Sequence, residues 1–192
     1  MRAYTVDTAS TTAVISTADA KAYLKVDISD DDTLIDNLVS SATESAQEYT
    51  NRFFTNTTLI QYGTTFTDLG NLLKSPVSSI THIKYYDSDN SQQTLASSVY
   101  SLIPAIEPSV ISLKVNQSYP SLADRTDAVE CKYVVGYGSA STDVPNAIIE
   151  AIYLTVGHWY QNREAVVVGR QVNTLPMGAK YLLDQYKVQV CR

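Results

Sequence analysis

The chain has 192 residues, of which 44% are hydrophobic and 18% are charged, and its formal net charge is −6. That length and apolar content suit a soluble globular protein with a sizeable core and exclude a disordered chain. The 14 basic residues form no run. This argues against a protein whose main task is to grip nucleic acid, since phosphate binding depends on clustered Lys and Arg.

Cysteine usage and hydropathy exclude further classes of protein. Cys131 and Cys191 lie far apart and have no metal-ligand spacing, so we expect neither a structural zinc site nor a disulfide framework. The N-terminus lacks an apolar segment of the signal type, and no run of 18 apolar residues occurs. We therefore expect a protein that is made in the cytoplasm and has no membrane partner.

The start of the chain predicts an arm followed by a short helix. Residues 1–14 are rich in Thr and Ala, lack periodicity and predict a flexible N-terminal arm. Ser16 followed by Asp19 resembles a capping box, which predicts a helix over about 17–25.

A second, longer helix is predicted over about 30–53. Ser29 is followed by three Asp residues, and carboxylates in a first turn favour the positive end of the helix dipole. The apolar positions then step by three or four residues, as one face of a helix requires. They are Ile35, Leu38, Ala42, Ala46, Tyr49 and Phe53.

The pattern changes to β-structure over about 55–138. Ile60, Tyr62, Thr64 and Phe66 alternate with polar or small neighbours, as in a half-buried strand whose inner face they form. Residues 80–86 and 92–95 flank a cluster of turn residues and predict a hairpin. Further strand patterns occur at 100–103 and 110–115, and Val129, Cys131, Tyr133 and Val135 alternate as the apolar positions of another strand. Together they predict a small antiparallel sheet or sandwich inserted into a helical frame.

Two more helices are predicted near the C-terminus. Pro145 suits the first position of a helix over about 145–162, whose apolar residues cover more than one face. Residues 166–174 predict a flexible stretch, and a short helix follows over about 176–186. The predicted fold class is α+β. A helical bundle with long central helices carries the β insertion, and residues 15–192 form a single domain.

Residues that could carry catalysis are sparse. The two histidines, His82 and His158, lie outside any metalloprotease, nucleophile-elbow or nucleotide-binding motif. Glu44 and Glu48 share a helix face, which a solvated acidic surface explains at least as well as a glycosidase carboxylate pair. We therefore expect no enzyme, no catalytic residue, no cofactor and no metal.

Seven segments occur in an order that is specific when they are taken together. They are residues 17–27, 30–35, 42–52, 97–100, 133–138, 144–165 and 175–188. The most specific stretch closes the helix that starts near Pro145, and it contains the signature residues His158, Trp159, Tyr160, Asn162, Arg163 and Glu164. Over about 15–188 the chain resembles the head–tail connector family of tailed phages, also called neck adaptor or head-completion proteins. Gln161 departs from that pattern, in which an acidic residue is usual, and so does the segment 104–127.

The resemblance implies a structural virion protein of the neck between head and tail. Its members form a homo-oligomeric ring, here expected to be twelvefold, under the portal protein. The ring extends the channel through which genomic DNA passes without specific binding, and it offers a platform for the next neck or tail-completion protein. An acidic channel wall is compatible with the net charge of −6.

The C-terminal tail is the segment that we expect to contact the portal. The predicted contact residues are Tyr186, Lys187, Val188, Gln189, Val190 and Arg192. Val188 and Val190 alternate with polar residues, so the tail could add to a partner by strand pairing. Deleting residues 187–192 is predicted to weaken docking without unfolding the subunit.

Two other functions stay open at this point. A nucleic-acid-binding packaging factor, such as a small terminase component, would need a basic helix–turn–helix, and the acidic N-terminal third speaks against it. A hydrolase of cell-wall glycan would need Glu44 and Glu48 in catalytic roles.

Overall fold

The computed structural model describes residues 3–162 and 176–189, which form two compact units. The β unit consists of Met1–Thr11, Arg52–Ser139 and Val188–Arg192, and the helical unit consists of Thr12–Asn51 and Ala140–Lys187. The mixed α+β class is confirmed. The single domain predicted for residues 15–192 stays a prediction, and its described residues fall into both units.

The described part of the helical unit contains four helices. They are α1 (Thr17–Leu24), α2 (Asp32–Thr50), α3 (Asn146–Gln161) and α4 (Met177–Asp184). Helix α3 packs against the other three. The side chains buried on α2 are Ile35, Val39, Ala42, Ala46 and Thr50, which follow the predicted step of three or four residues.

Both N-terminal helices end at a residue in the left-handed conformation. Lys25 has φ 58° and closes α1, whereas Asn51 has φ 57° and closes α2. Asn tolerates this conformation better than most residues, and it commonly ends helices. The helix predicted over 30–53 is therefore shorter at this end, and Arg52 and Phe53 belong to the β unit.

The predicted cap at the start of α1 is confirmed. The Ser16 hydroxyl accepts a hydrogen bond from the Asp19 backbone N–H at 3.1 Å and donates to the Asp19 carboxylate at 2.6 Å. Replacing Ser16 by Ala is expected to lower the free energy of unfolding by about 1 kcal/mol, because the Asp19 N–H loses its acceptor. Urea unfolding measures this. Ser40→Ala, at an exposed position within α2, is the control and is expected to change stability by less than about 0.5 kcal/mol.

The β unit contains a five-stranded antiparallel sheet in the order β1-β2-β7-β3-β4 and a separate two-stranded ribbon, β5-β6. The strands of the sheet are β1 (Ala3–Thr8), β2 (Thr57–Gly63), β3 (Val77–Tyr86), β4 (Gln92–Thr94) and β7 (Val129–Val135). The ribbon consists of β5 (Tyr100–Ile103) and β6 (Val110–Leu113). The predicted hairpin is confirmed as β3–β4.

The flexible arm predicted over residues 1–14 is wrong for the segment 3–8. Residues 3–8 form strand β1, which pairs with β2, and Val14 and Ile15 are buried. Apolar residues show no periodicity there because β1 lies at the edge of the sheet and most of its side chains are exposed. Backbone hydrogen bonds rather than side-chain burial hold such a strand.

The buried face of β2 is the opposite of the predicted one. Leu59 and Gln61 are buried, whereas Ile60 and Tyr62 lie half-buried on the other face. Gln61 can occupy the inner face because its side-chain amide has hydrogen-bond partners there. The pattern of apolar residues therefore predicts the wrong buried face. Strand β7 does bury the predicted set, which includes Cys131 and Tyr133.

Gln61 forms a hydrogen-bond network in the core of the β unit. Its Nε2 donates to the carbonyls of Asp68 at 3.2 Å and Asn71 at 3.3 Å. Its Oε1 accepts from the Leu73 N–H at 2.9 Å and from the Tyr133 hydroxyl at 3.3 Å. All four bonds of the amide are thus made, which offsets the cost of burying it.

The net charge is confined to one unit. The helical unit has 12 acidic and 6 basic residues, a difference of −6, whereas the β unit has 8 of each. The acidic character of the chain is therefore a property of the helical unit alone.

Candidate functional site

The signature stretch closes helix α3. His158, Trp159 and Tyr160 occupy its last turn and are half-buried, and Gln161 is its last residue. The backbone N–H of Asn162 donates to the His158 carbonyl at 3.1 Å, and the Asn162 side-chain amide donates to the same oxygen at 2.9 Å. Asn162 therefore satisfies a carbonyl that the helix end would leave without a donor.

Tyr160 connects the end of α3 to the start of α2. Its hydroxyl donates to the Asp31 carboxylate at 2.6 Å. Asp31 is the N-cap residue of α2, but its side chain makes no capping bond. Its carboxylate therefore ties α3 to α2 instead of capping the backbone of α2. The signature residues Arg163 and Glu164, and the predicted flexible stretch 166–174, lie outside the described residues.

A second tie joins α2 to α4 just before the tail. The Tyr49 hydroxyl donates to the Asp184 carboxylate at 2.5 Å, and this bond raises the pKa of Tyr49. The Lys187 ammonium lies 4.6 Å from the centroid of the Tyr49 ring, within the range of a cation–π interaction. The sequence showed Tyr49 only as a core position, because its partners lie 135 and 138 residues further along the chain.

The predicted portal-contacting residues have different environments. Lys187 and Gln189 are exposed, and Tyr186 is half-buried. Val188 is only 7% exposed, so it packs within its own subunit. Val190 and Arg192 lie outside the described residues. Lys187 and Gln189 are therefore the described tail residues that offer a partner the most surface.

The geometry gives no support to the enzymatic candidates. Glu44 and Glu48 lie one turn apart on α2, so they point the same way and do not face each other across a cleft. His82 lies in β3 with its Nε2 3.7 Å from Glu130. Burial raises the pKa of Cys131 to about 12, which keeps it a thiol.

The described residues contain neither a cluster of metal ligands nor a helix that could span a membrane. Within residues 3–162 and 176–189, no group of three or more His, Cys, Asp or Glu side chains is arranged to hold a metal ion. None of the helices within those ranges has the length and apolar character needed to cross a bilayer.

Comparison with known families decides the family. The model of the Phage gp6-like head-tail connector proteins matches residues 15–117, which is more than half of the chain. The chain belongs to this family. The predicted resemblance is confirmed, and the connector is a structural protein of the virion neck. No curated protein matches the connector.

Solved structures share the fold of the connector over nearly its whole length. A chain from the neck of an empty GTA (gene transfer agent) particle with C6 symmetry matches with a TM-score of 0.77, covering 99% of this chain and 97% of that chain. A chain from the virion of a native GTA particle has a TM-score of 0.78, with 98% and 97% covered. A chain from the neck of a native GTA particle with C12 symmetry has a TM-score of 0.76, with 99% and 97% covered. Sequence identity is 16% in each case, so these likenesses establish the fold.

Proposed function

We propose that the connector assembles into a homo-oligomeric ring of twelve subunits beneath the portal protein. The ring extends the DNA channel and presents its far side to the next neck or tail-completion protein. In this assembly the connector acts as a structural part without catalysis, and its helical unit is a bundle centred on the long helices α2 and α3.

One observation carries this proposal. The chain belongs to a family of head–tail connectors, and 99% of its length matches the fold of chains from GTA necks. Two of those structures are described with C6 and C12 symmetry, which supports a ring and a copy number of twelve. A ring needs a heterologous contact, in which one surface of each subunit meets a different surface of the next.

The ion pairs of the β unit support the passage of DNA without specific binding, because they engage basic side chains that could otherwise bind phosphate. Four of them are paired with carboxylates within the subunit. The pairs are Arg52–Glu107, Lys84–Glu130, Arg125–Asp127 and Lys132–Asp7. Cations that are already neutralised release few counterions from a phosphate backbone, and counterion release supplies most of the affinity of non-specific binding.

The ring is tested by negative-stain electron microscopy of the concentrated protein, alone and mixed with the portal of the same particle. Rings, or density added coaxially under the portal, are the expected result, and their rotational symmetry gives the copy number. Protein that stays monomeric and never joins the portal would contradict the proposed function.

A short C-terminal truncation tests the proposed contact between the tail and the portal. Deleting residues 190–192 is expected to weaken portal binding about tenfold without changing the melting temperature, since these residues follow Val188, the last buried side chain within the described range 176–189. Binding is measured by sedimentation with the portal.

The longer deletion, 187–192, needs a control. It also removes Val188 and the contact of Lys187 with Tyr49, so we expect it to cost about 1–2 kcal/mol of folding stability. Val188→Ala in the full-length chain separates the two effects, since it lowers stability and leaves the rest of the tail in place. Unchanged portal binding by the 190–192 deletion would remove those residues from the proposed contact.

A further inference from the structure

The helical unit leaves four large apolar side chains strongly exposed among its described residues. Tyr23 is 41% exposed and Ile28 is 59% exposed, and we call these two residues the α1 patch. Met177 is 79% exposed and Tyr181 is 72% exposed, and these form the α4 patch. Single exposed apolar residues are common on soluble proteins, but grouped ones often mark an interaction surface, so both patches are candidates for a subunit contact.

The α4 patch is one face of a helix. Met177 and Tyr181 are four residues apart and therefore lie one above the other. The other face of α4 buries Ala179 and Leu183 in the subunit. Helix α4 therefore exposes an apolar ridge on one face and packs against its own subunit with the opposite face.

The two patches lie on different sides of α3. Tyr153 of α3 stacks on Tyr23 with ring centroids 4.7 Å apart, so that side of α3 meets α1. Leu154 lies 3.6 Å from where a Cβ at Gly178 would stand, so it meets α4. Consecutive residues of a helix point about 100° apart. Helices α1 and α4 therefore pack on different sides of α3, so the two patches are separate surfaces, as a head-to-tail contact requires.

The charges beside the patches are complementary. Asp27 and Asp30 flank Ile28, are exposed, and have no hydrogen-bond or ion-pair partner for their side chains among the described residues. With Lys25, the segment 25–30 has a net charge of −1. On α4 the exposed Lys180 is likewise without a side-chain partner within the described ranges, whereas Asp184 is engaged by Tyr49.

We infer that the α4 patch of one subunit packs on the α1 patch of the next subunit around the ring, with Lys180 facing Asp27 and Asp30. This rests on the proposed ring and assigns its subunit interface. The occupant of each patch is a second copy of the same chain, because a closed ring needs two different surfaces that are complementary to each other, and the helical unit supplies both.

Two substitutions and one matched control test the interface. Tyr181→Asp and Ile28→Asp each place a charge in one patch, and each is expected to raise the concentration for half-maximal ring assembly at least about tenfold. Val115→Asp makes the same change at an 87% exposed position of the β unit and should assemble like the wild type. Sedimentation velocity measures assembly, and circular dichroism confirms that each variant is folded.

A mixing experiment distinguishes a head-to-tail interface from a general loss of solubility. Tyr181→Asp protein keeps its α1 patch, and Ile28→Asp protein keeps its α4 patch. The mixture is therefore expected to form heterodimers that stop at two subunits, whereas each variant alone stays monomeric. In a second series, Lys180→Glu should weaken assembly, and adding Asp30→Lys in the same chain should restore it.

The outcomes separate the interface from the function. Rings of wild-type strength from Tyr181→Asp or Ile28→Asp would overturn the inferred interface and leave the ring intact. Weakening by Val115→Asp to the same degree would also overturn it. Wild-type protein that forms no ring, alone or on the portal, would overturn the proposed function and this inference with it.

Discussion

Replacing Gly136 by Ala is expected to be among the most damaging single changes in the β unit, lowering its free energy of unfolding by about 3–5 kcal/mol. Gly136 has φ +130°, a conformation that residues with a side chain rarely adopt. An added Cβ would stand 2.6 Å from the Thr55 carbonyl carbon and 2.7 Å from the Asn56 nitrogen. Both are backbone atoms, so the clash is relieved only by moving one chain segment off the other.

Gly178→Ala is the matched control for this substitution. Gly178 lies in α4, and its added Cβ would have only ordinary contact with Leu154 at 3.6 Å. Alanine in a helix is favoured over glycine, so we expect a stability gain of about 0.5–1 kcal/mol. Urea unfolding of both variants, followed by circular dichroism, measures the difference. A Gly136→Ala protein as stable as the wild type would show that the Thr55–Asn56 segment shifts at little cost.

Replacing Gln61 by Leu is expected to cost about 3 kcal/mol, although it puts an apolar residue of similar size into an apolar core. The change removes the hydrogen bonds that the Gln61 amide makes with the Leu73 N–H and with the carbonyls of Asp68 and Asn71. A lost hydrogen bond is worth little by itself, but an unsatisfied buried group costs its full desolvation.

A double-mutant cycle identifies the network as the cause. Tyr133→Phe removes one donor to Gln61, and the pair of changes is expected to cost less than the sum of the single ones. Gln92→Leu, at an exposed position of β4, makes the same chemical change outside the network and should be nearly neutral. A Gln61→Leu protein within about 0.5 kcal/mol of the wild type would show that water replaces the amide.

The helices could be predicted because their apolar positions carry the helical period. Ile35, Ala42 and Ala46 were assigned to a buried stripe from spacing alone, and all three are buried. The ends were less predictable, since Lys25 gives no signal for the left-handed conformation that closes α1. Local sequence thus determines where a helix forms better than where it stops.

The strands of the sheet could be predicted from the sequence, but their order within the sheet could not. The period of two in β7 identified its buried residues, yet nothing in the sequence says that β7 lies between β2 and β3. Strand β1 was missed because an exposed edge strand needs no alternation. On β2 the buried Gln61 reversed the assignment of faces, because its partners come from a loop and another strand.

The candidate site likewise has a part that the sequence predicts and a part that only the structure shows. The stretch His158–Asn162 could be chosen from its resemblance to a family, but its structural role depends on Asp31, which is 129 residues from Tyr160. The tie between Tyr49 and Asp184 has the same character, since each residue alone is an ordinary member of its helix. Sequence reasoning identified the elements, whereas pairs across the fold came only from the structure.

Both units are assembled from separate stretches of chain, and this sets the order in which a newly made subunit can fold on the ribosome. Strand β1 emerges first, but its neighbour β2 follows about fifty residues later, and the central strand β7 is the last of the sheet to be made. Helices α1 and α2 likewise wait for α3 to cover them. Most of the chain must therefore leave the exit tunnel before either core closes, so the nascent connector exposes apolar surface for most of its synthesis.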